Sequence, residues 1–227
     1  MIDETDAIRR RLRTPRAAAI AGVLFALLLM SSQALIWTSI PPNPWGSTMD
    51  MFRQSKQLAI ALNLVPFAGI AFLWFIAVVR DRIGDLEDRF FSTVFLGSGL
   101  LYLAMLFVAA ATAGALVGLL TILPDSAATS AAYFFGRGEI YRITTIYSTR
   151  MAGVFMMSTS TIFLRTEVAP RWLAFAGFLL ALTLLVSIGS VQWIGAVFPL
   201  WVLLISLCIL VQNRRGWREK QQLAISN

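Results

Sequence analysis

Residues 172–211 read WLAFAGFLLALTLLVSIGSVQWIGAVFPLWVLLISLCILV, and none of them carries a charge. As one helix rising about 1.5 Å per residue, the segment would be about 60 Å long, roughly twice the hydrocarbon thickness of a bilayer. It must therefore fold back on itself. The turn is expected at 189–195, where Gly189, Ser190, Gln192, Trp193 and Gly195 gather. The stretch thus reads as two antiparallel membrane spans, at about 172–189 and 194–212.

The rest of the chain has the same character. Of its 227 residues 58% are hydrophobic and 14% charged, against about a quarter charged in soluble domains, and the mean hydropathy is +0.73. The expected fold is all-α, a polytopic transmembrane helix bundle with its first four spans at about 17–40, 57–79, 91–120 and 143–164. That makes six spans in one membrane domain, 17–212, between a basic N-terminal segment, 1–16, and a basic tail, 213–227. The run 17–40 is longer than a signal-peptide core and ends in Ser39-Ile40-Pro41-Pro42 with no small-x-small cleavage pattern, so it is read as a retained span.

Punctuation between the spans supports the count. Pro41 to Lys56 holds three prolines with Trp45 and Gly46 and reads as an irregular loop. Pro66 lies inside the second span and predicts a kink near Leu62. Gly84 suits a helix end, and Asp85, Glu87 and Asp88 suit the start of the next helix, where carboxylates meet free N–H groups. The apolar run 91–123 is long for one span and short for two, and is read as one tilted helix. Pro124 and Asp125 end it, and 126–138 reads as a small-residue loop with a short interfacial helix around Tyr133 to Phe135. Pro170 fits the first turn of the fifth span.

The basic residues fix an expected orientation. With six spans, the N-terminal segment, second loop, fourth loop and tail lie on one face and hold five, three, two and four Lys or Arg, whereas the other face holds Arg53, Lys56, Arg137 and Arg142. Positive loops stay inside, so both termini are expected in the cytoplasm of a bacterial inner (plasma) membrane. The net charge of +7 then serves headgroups and orientation, not nucleic acid.

Within the fourth span, Arg150 is the residue that calls for explanation, because a guanidinium at membrane depth costs roughly 2.5–3.5 kcal/mol on insertion scales and normally faces protein or water. Gln33, Asn63 and Tyr147 fall at similar depth, roughly 10 Å below the outer surface, and Glu139 is the nearest acid in sequence able to pair with Arg150. Two readings follow. In one, Arg150, Asn63, Gln33, Tyr147 and Glu139 form an outward-facing pocket for a small anionic molecule or lipid headgroup, held by the arginine fork. In the other, Arg150 snorkels to headgroups while Gln33 and Asn63 tie helices together. Ala110, Gly114 and Gly118 recur every four residues, a ridge that lets a helix pack closely within the bundle, in a homo-oligomer or against another membrane protein.

Other features carry less. There is no histidine and one cysteine, Cys208, so His-based catalysis and the usual zinc sites are excluded, as is an intramolecular disulfide. An intramembrane enzyme would have to move protons with Asp50, Asp125, Glu139 and a few tyrosines. Gly136-Arg137-Gly138 is too short for a phosphate loop, and Met151, Met156 and Met157 read as packing residues. No catalytic residue, metal ligand or cofactor is assigned.

The Pro170-Arg171-Trp172-Leu173 entry and the Phe198-Pro199-Leu200-Trp201 stretch resemble patterns in bacterial six-span membrane proteins of unknown function. The resemblance covers the last quarter of the chain and implies a six-helix fold with no assigned activity. The function classes that remain are binding or transport of a small anionic or amphipathic ligand, accessory action through helix contacts and, third, an intramembrane enzyme.

Overall fold

The computed structural model describes residues 3–39, 55–83, 89–123, 130–166, 170–187 and 194–225. All elements in them are helices: α1 Asp3–Ser39, α2 Ser55–Ile83, α3 Arg89–Ile122, α4 Ala131–Arg142, a π-helical turn Ile143–Tyr147, α5 Ser148–Thr166, α6 Arg171–Val186 and α7 Ile194–Ile225. Because α4, the π-turn and α5 follow without a break, the described residues form six helical rods. Among the described residues, four helices are long and apolar enough to cross a membrane, with spans at Ala19–Ile36, Gln57–Arg80, Phe90–Ile122 and Ile194–Val211. α6 is apolar but shorter, at 16 residues.

The 34 residues of α3 are one unbroken helix, about 50 Å long, so the long apolar run is one rod, as its length suggested. α2 likewise continues through Pro66. Within 126–138, the short interfacial helix expected around Tyr133 to Phe135 is the longer α4, which starts at Ala131 and runs to Arg142. Ser130, extended at φ −76° and ψ 147°, caps that helix by accepting a hydrogen bond from the Tyr133 N–H at 3.2 Å. Tyr133 is buried with Leu120 among Leu116 and Leu119, and Gly136 backs onto the Leu116 side chain. An aromatic anchor, a cap and a glycine contact thus turn a loop-like composition into helix. The expected turn over 189–195 lies mostly outside the described residues. So do the cluster Asp85, Glu87 and Asp88, most of the Pro41 loop, and Asp50, Asp125 and Glu167.

α1 packs most extensively on α2 and α7, and α5 on α6 and α3. At the centre, five of these helices each contribute an aromatic ring. Phe72 of α2 lies 4.5 Å from Phe25 of α1, 5.3 Å from Phe155 of α5, 5.6 Å from Phe198 of α7 and 5.9 Å from Tyr102 of α3, measured between ring centroids. Tilted and edge-on rings such as these each add roughly 0.5–1.5 kcal/mol beyond the area they bury. The outer surface is apolar in turn: Trp74, Phe175 and Leu179 are each more than 60% exposed. An exterior of this kind suits lipid and would drive aggregation in water.

Close approach of α1 to α7 depends on Gly22, whose added Cβ would collide with Ser206 Oγ and lie 2.9 Å from the Phe75 ring. Both neighbours are buried, and overpacking of this kind costs about 1–3 kcal/mol. Gly22→Val is expected to lower the thermal unfolding midpoint of the purified protein in detergent, whereas Gly97→Ala, which meets nothing within 4 Å, should leave it unchanged.

Candidate functional site

Beyond the aromatic cluster, toward the C-terminal ends of α1 and α3 and the N-terminal ends of α2 and α7, side chains become smaller and the bundle opens. Ala109, Ala110 and Ala113 of α3 face Leu29 of α1 and Leu62 and Val65 of α2 across a cavity of about 270 Å³. Its lining is mainly aliphatic. Polar groups come from Ser32 and Gln33 of α1, and from Tyr133, Arg137, Thr144 and Thr145 of the α4 rod. Among the described residues, Arg137 is its one charged lining residue.

A smaller cavity of about 70 Å³ shares Gln33, Leu106, Thr144 and Gly195 with the first, and reaches inward to Tyr102, Ser148 and Thr149. Phe198 also lines it, so the aromatic cluster forms part of its wall. Among the described residues, none that lines this inner pocket is charged.

The π-turn shapes the junction between the two. Ile143, Thr144, Thr145 and Ile146 are successive β-branched residues, whose stiff side chains crowd a regular helix. Their hydroxyls bond back to the chain: Thr144 Oγ1 donates to the Ile140 carbonyl at 2.7 Å and Thr145 Oγ1 to that of Tyr141. Ser148 Oγ and Thr149 Oγ1 both donate to the Thr144 carbonyl, at 2.7 and 3.0 Å. Such back-bonding bends helices, and single π-turns recur at functional sites. Here the wider turn places Thr144 on both cavities and Arg137, two turns earlier, on the larger one.

Gln33 joins the cavities. Its Nε2 donates to the Gly195 carbonyl of α7 at 3.3 Å, while its Oε1 is buried with no partner among the described residues. Nearby, Ser32 Oγ donates to the Ala61 carbonyl of α2 at 2.7 Å, fastening α1 on its other side.

The structure brings together only part of the set expected around Arg150. Gln33 lines the cavities. Asn63 is exposed on α2 and donates to the Ala59 carbonyl of its own helix at 2.9 Å. Arg150 and Tyr147 are exposed on the opposite flank of the π-turn from the buried Ser148 and Thr149, and Glu139 is half-buried; none of these four lines either cavity. In the small-residue ridge, Ala110 lines the large cavity, while Cβ atoms built at Gly114 and Gly118 would meet nothing within 4 Å.

Arg137, Thr144 and Tyr102 were the residues missed. A signal for Tyr102 existed, since it is the lone tyrosine in an apolar run, and the Thr-Thr pair at 144–145 is a second. For Arg137 there was none, because its position follows from α4 being helical. No group of three His, Cys, Asp or Glu that could hold a metal stands together among the described residues.

The fold and site define an integral membrane helical protein, with a largely apolar cavity between its helices. No protein-family model matches the chain, and neither curated proteins nor solved structures give a match.

The π-turn is what sets the face that α4 turns toward α3. Gly136 stands against Leu116, with a Cβ at Gly136 lying 3.3 Å from Leu116 Cγ, so Leu116→Cys with Gly136→Cys in a Cys208→Ser background should crosslink under mild oxidation. Deleting Thr145 restores α-helical register and turns α4 by roughly 100° relative to α5. The crosslink is then expected to be lost while the protein still purifies as a folded species.

Proposed function

We propose that the chain is a non-enzymatic, six-span plasma-membrane protein that binds, and passes between leaflet and solvent, a small amphipathic molecule carrying an acidic group. The observation that carries this reading is the 270 Å³ cavity, aliphatic over most of its wall and with one cation, Arg137, among the described residues that line it. A space of this size lies just below the usual ligand-pocket range of about 300–1,000 Å³, and so suits a small ligand. Apolar surface holds the body of the molecule, and a guanidinium offers two parallel donors to a carboxylate or phosphate oxygen pair. This is the anion-binding role expected of Arg150, transferred to the arginine that lines the cavity.

The charge distribution supports a cytoplasmic location for both termini. The cavity then lies toward the outer leaflet, since it sits at the helix ends farthest from Asp3 and Ile225. Accessory action through the face bearing Gly114 and Gly118 is the second reading, favoured by the open space beside both glycines.

Displacement of a fluorescent fatty acid from full-length protein in lipid nanodiscs tests the first reading. Decanoate should displace it, and Arg137→Gln should weaken decanoate about tenfold, the size expected for a hydrogen-bonded charge. Ala113→Phe, which fills the cavity, should abolish displacement without lowering the unfolding midpoint. Equal decanoate binding in wild type and both variants would rule the cavity out. Epitope tags at either end should be reachable only after cells are permeabilised.

A further inference from the structure

The inner pocket asks for something different from the large cavity. Arg137 lies seven residues before Thr144 on the same rod, roughly 10 Å along it, so a ligand anchored at Arg137 points its far end at Gln33, Tyr102 and Ser148. An ordinary alkyl end would be poorly served there. Gln33 Oε1 is buried without a partner among the described residues, and an unmade hydrogen bond on a buried carbonyl is unfavourable until a donor arrives. The Tyr102 hydroxyl can donate or accept, and its ring is fixed by Phe198 at 4.6 Å and Phe72 at 5.9 Å. With no charged residue among the described residues that line it, the pocket offers nothing there to balance an ion, and burying an unpaired charge is prohibitive.

We propose that the inner pocket is a second polar subsite that reads an uncharged hydroxyl at the buried end of the ligand, which donates to Gln33 Oε1 and accepts from the Tyr102 hydroxyl. Gln33 is held at the pocket by its own donation to the Gly195 carbonyl, which engages the amide nitrogen and leaves the buried oxygen as the group that a ligand hydroxyl would meet after a small movement of the side chain. The ligand class narrows to a short amphiphile with an acidic group at one end and a hydroxyl at the other. This rests on the reading of the large cavity given above and adds the specificity of its inner end.

The probes are decanoate and its ω-hydroxy counterpart, competed against a fluorescent fatty acid on the full-length protein in nanodiscs. A terminal hydroxyl ordinarily weakens binding to an apolar site. Here the hydroxy acid should bind about fivefold more tightly than decanoate, the range of a neutral hydrogen bond. Gln33→Leu and Tyr102→Phe should each bring the ratio of the two affinities to one or below, read as a ratio because Gln33 also lines the large cavity; Tyr102→Phe, which keeps the ring packing and lines only the inner pocket, should leave decanoate binding within about twofold and guards against a folding artefact. A ratio at or below one on the wild type overturns the hydroxyl subsite alone, as does a preference that persists in both variants. Failure of decanoate itself to bind overturns the cavity reading and this one with it.

Discussion

Phe72 meets aromatic rings from α1, α3, α5 and α7 at one level of the bundle, and the rest of the structure is arranged around that contact. In lipid the hydrophobic effect gives helices little reason to associate, because a lipid tail is as apolar as a leucine, so association depends on packing and on the few polar bonds between helices. Rings in edge-on and tilted contact supply the packing. Ser32 to the Ala61 carbonyl and Gln33 to the Gly195 carbonyl supply bonds of the second kind, each fastening α1 to a different neighbour; such bonds average roughly 0.6 kcal/mol in a membrane.

The same cluster explains why a cavity exists and why it lies where it does. Phe25, Phe72 and Phe198 fill the centre completely, each no more than 2% exposed. Along α3, the step from Tyr102 through Leu106 to Ala109 and Ala113 removes side-chain volume faster than the helices can close. A backbone that must keep every internal hydrogen bond satisfied in lipid cannot collapse locally into the gap. The rod of α4 and α5 closes the side instead, and its π-turn lets one helix serve two partners: α5 against α3 and α6, and α4 against the far end of α3.

The helices were legible in the sequence because apolar length is a strong signal, which is why 91–123 could be read as one rod and 172–211 as two. The site was less so. Depth along a span follows from counting residues, but the face a residue turns follows from packing and, here, from a π-turn that shifts helical register. Gln33, Asn63, Tyr147 and Arg150 share a depth, yet only Gln33 faces the interior cavities. Arg137 was hidden for a related reason: Gly136 and Gly138 on either side read as loop, whereas in place Gly136 is the contact that lets α4 lie against Leu116.

Polar groups inside the bundle follow one rule with a few exceptions. Most buried hydroxyls bond back to their own helix, as Thr159 does to the Phe155 carbonyl at 2.7 Å and Ser206 to that of Val202 at 2.7 Å, so they ask nothing of their surroundings. Gln33 Oε1, Ser160 Oγ and Trp201 Nε1 are buried without partners among the described residues. Ser160 and Trp201 close on Gly177, in a packed region where neither cavity reaches. Of these three residues, Gln33 is the one that also lines a cavity. That pairing is what distinguishes a recognition site from a packing defect, because a ligand can relieve an unsatisfied group only where there is room for it to arrive.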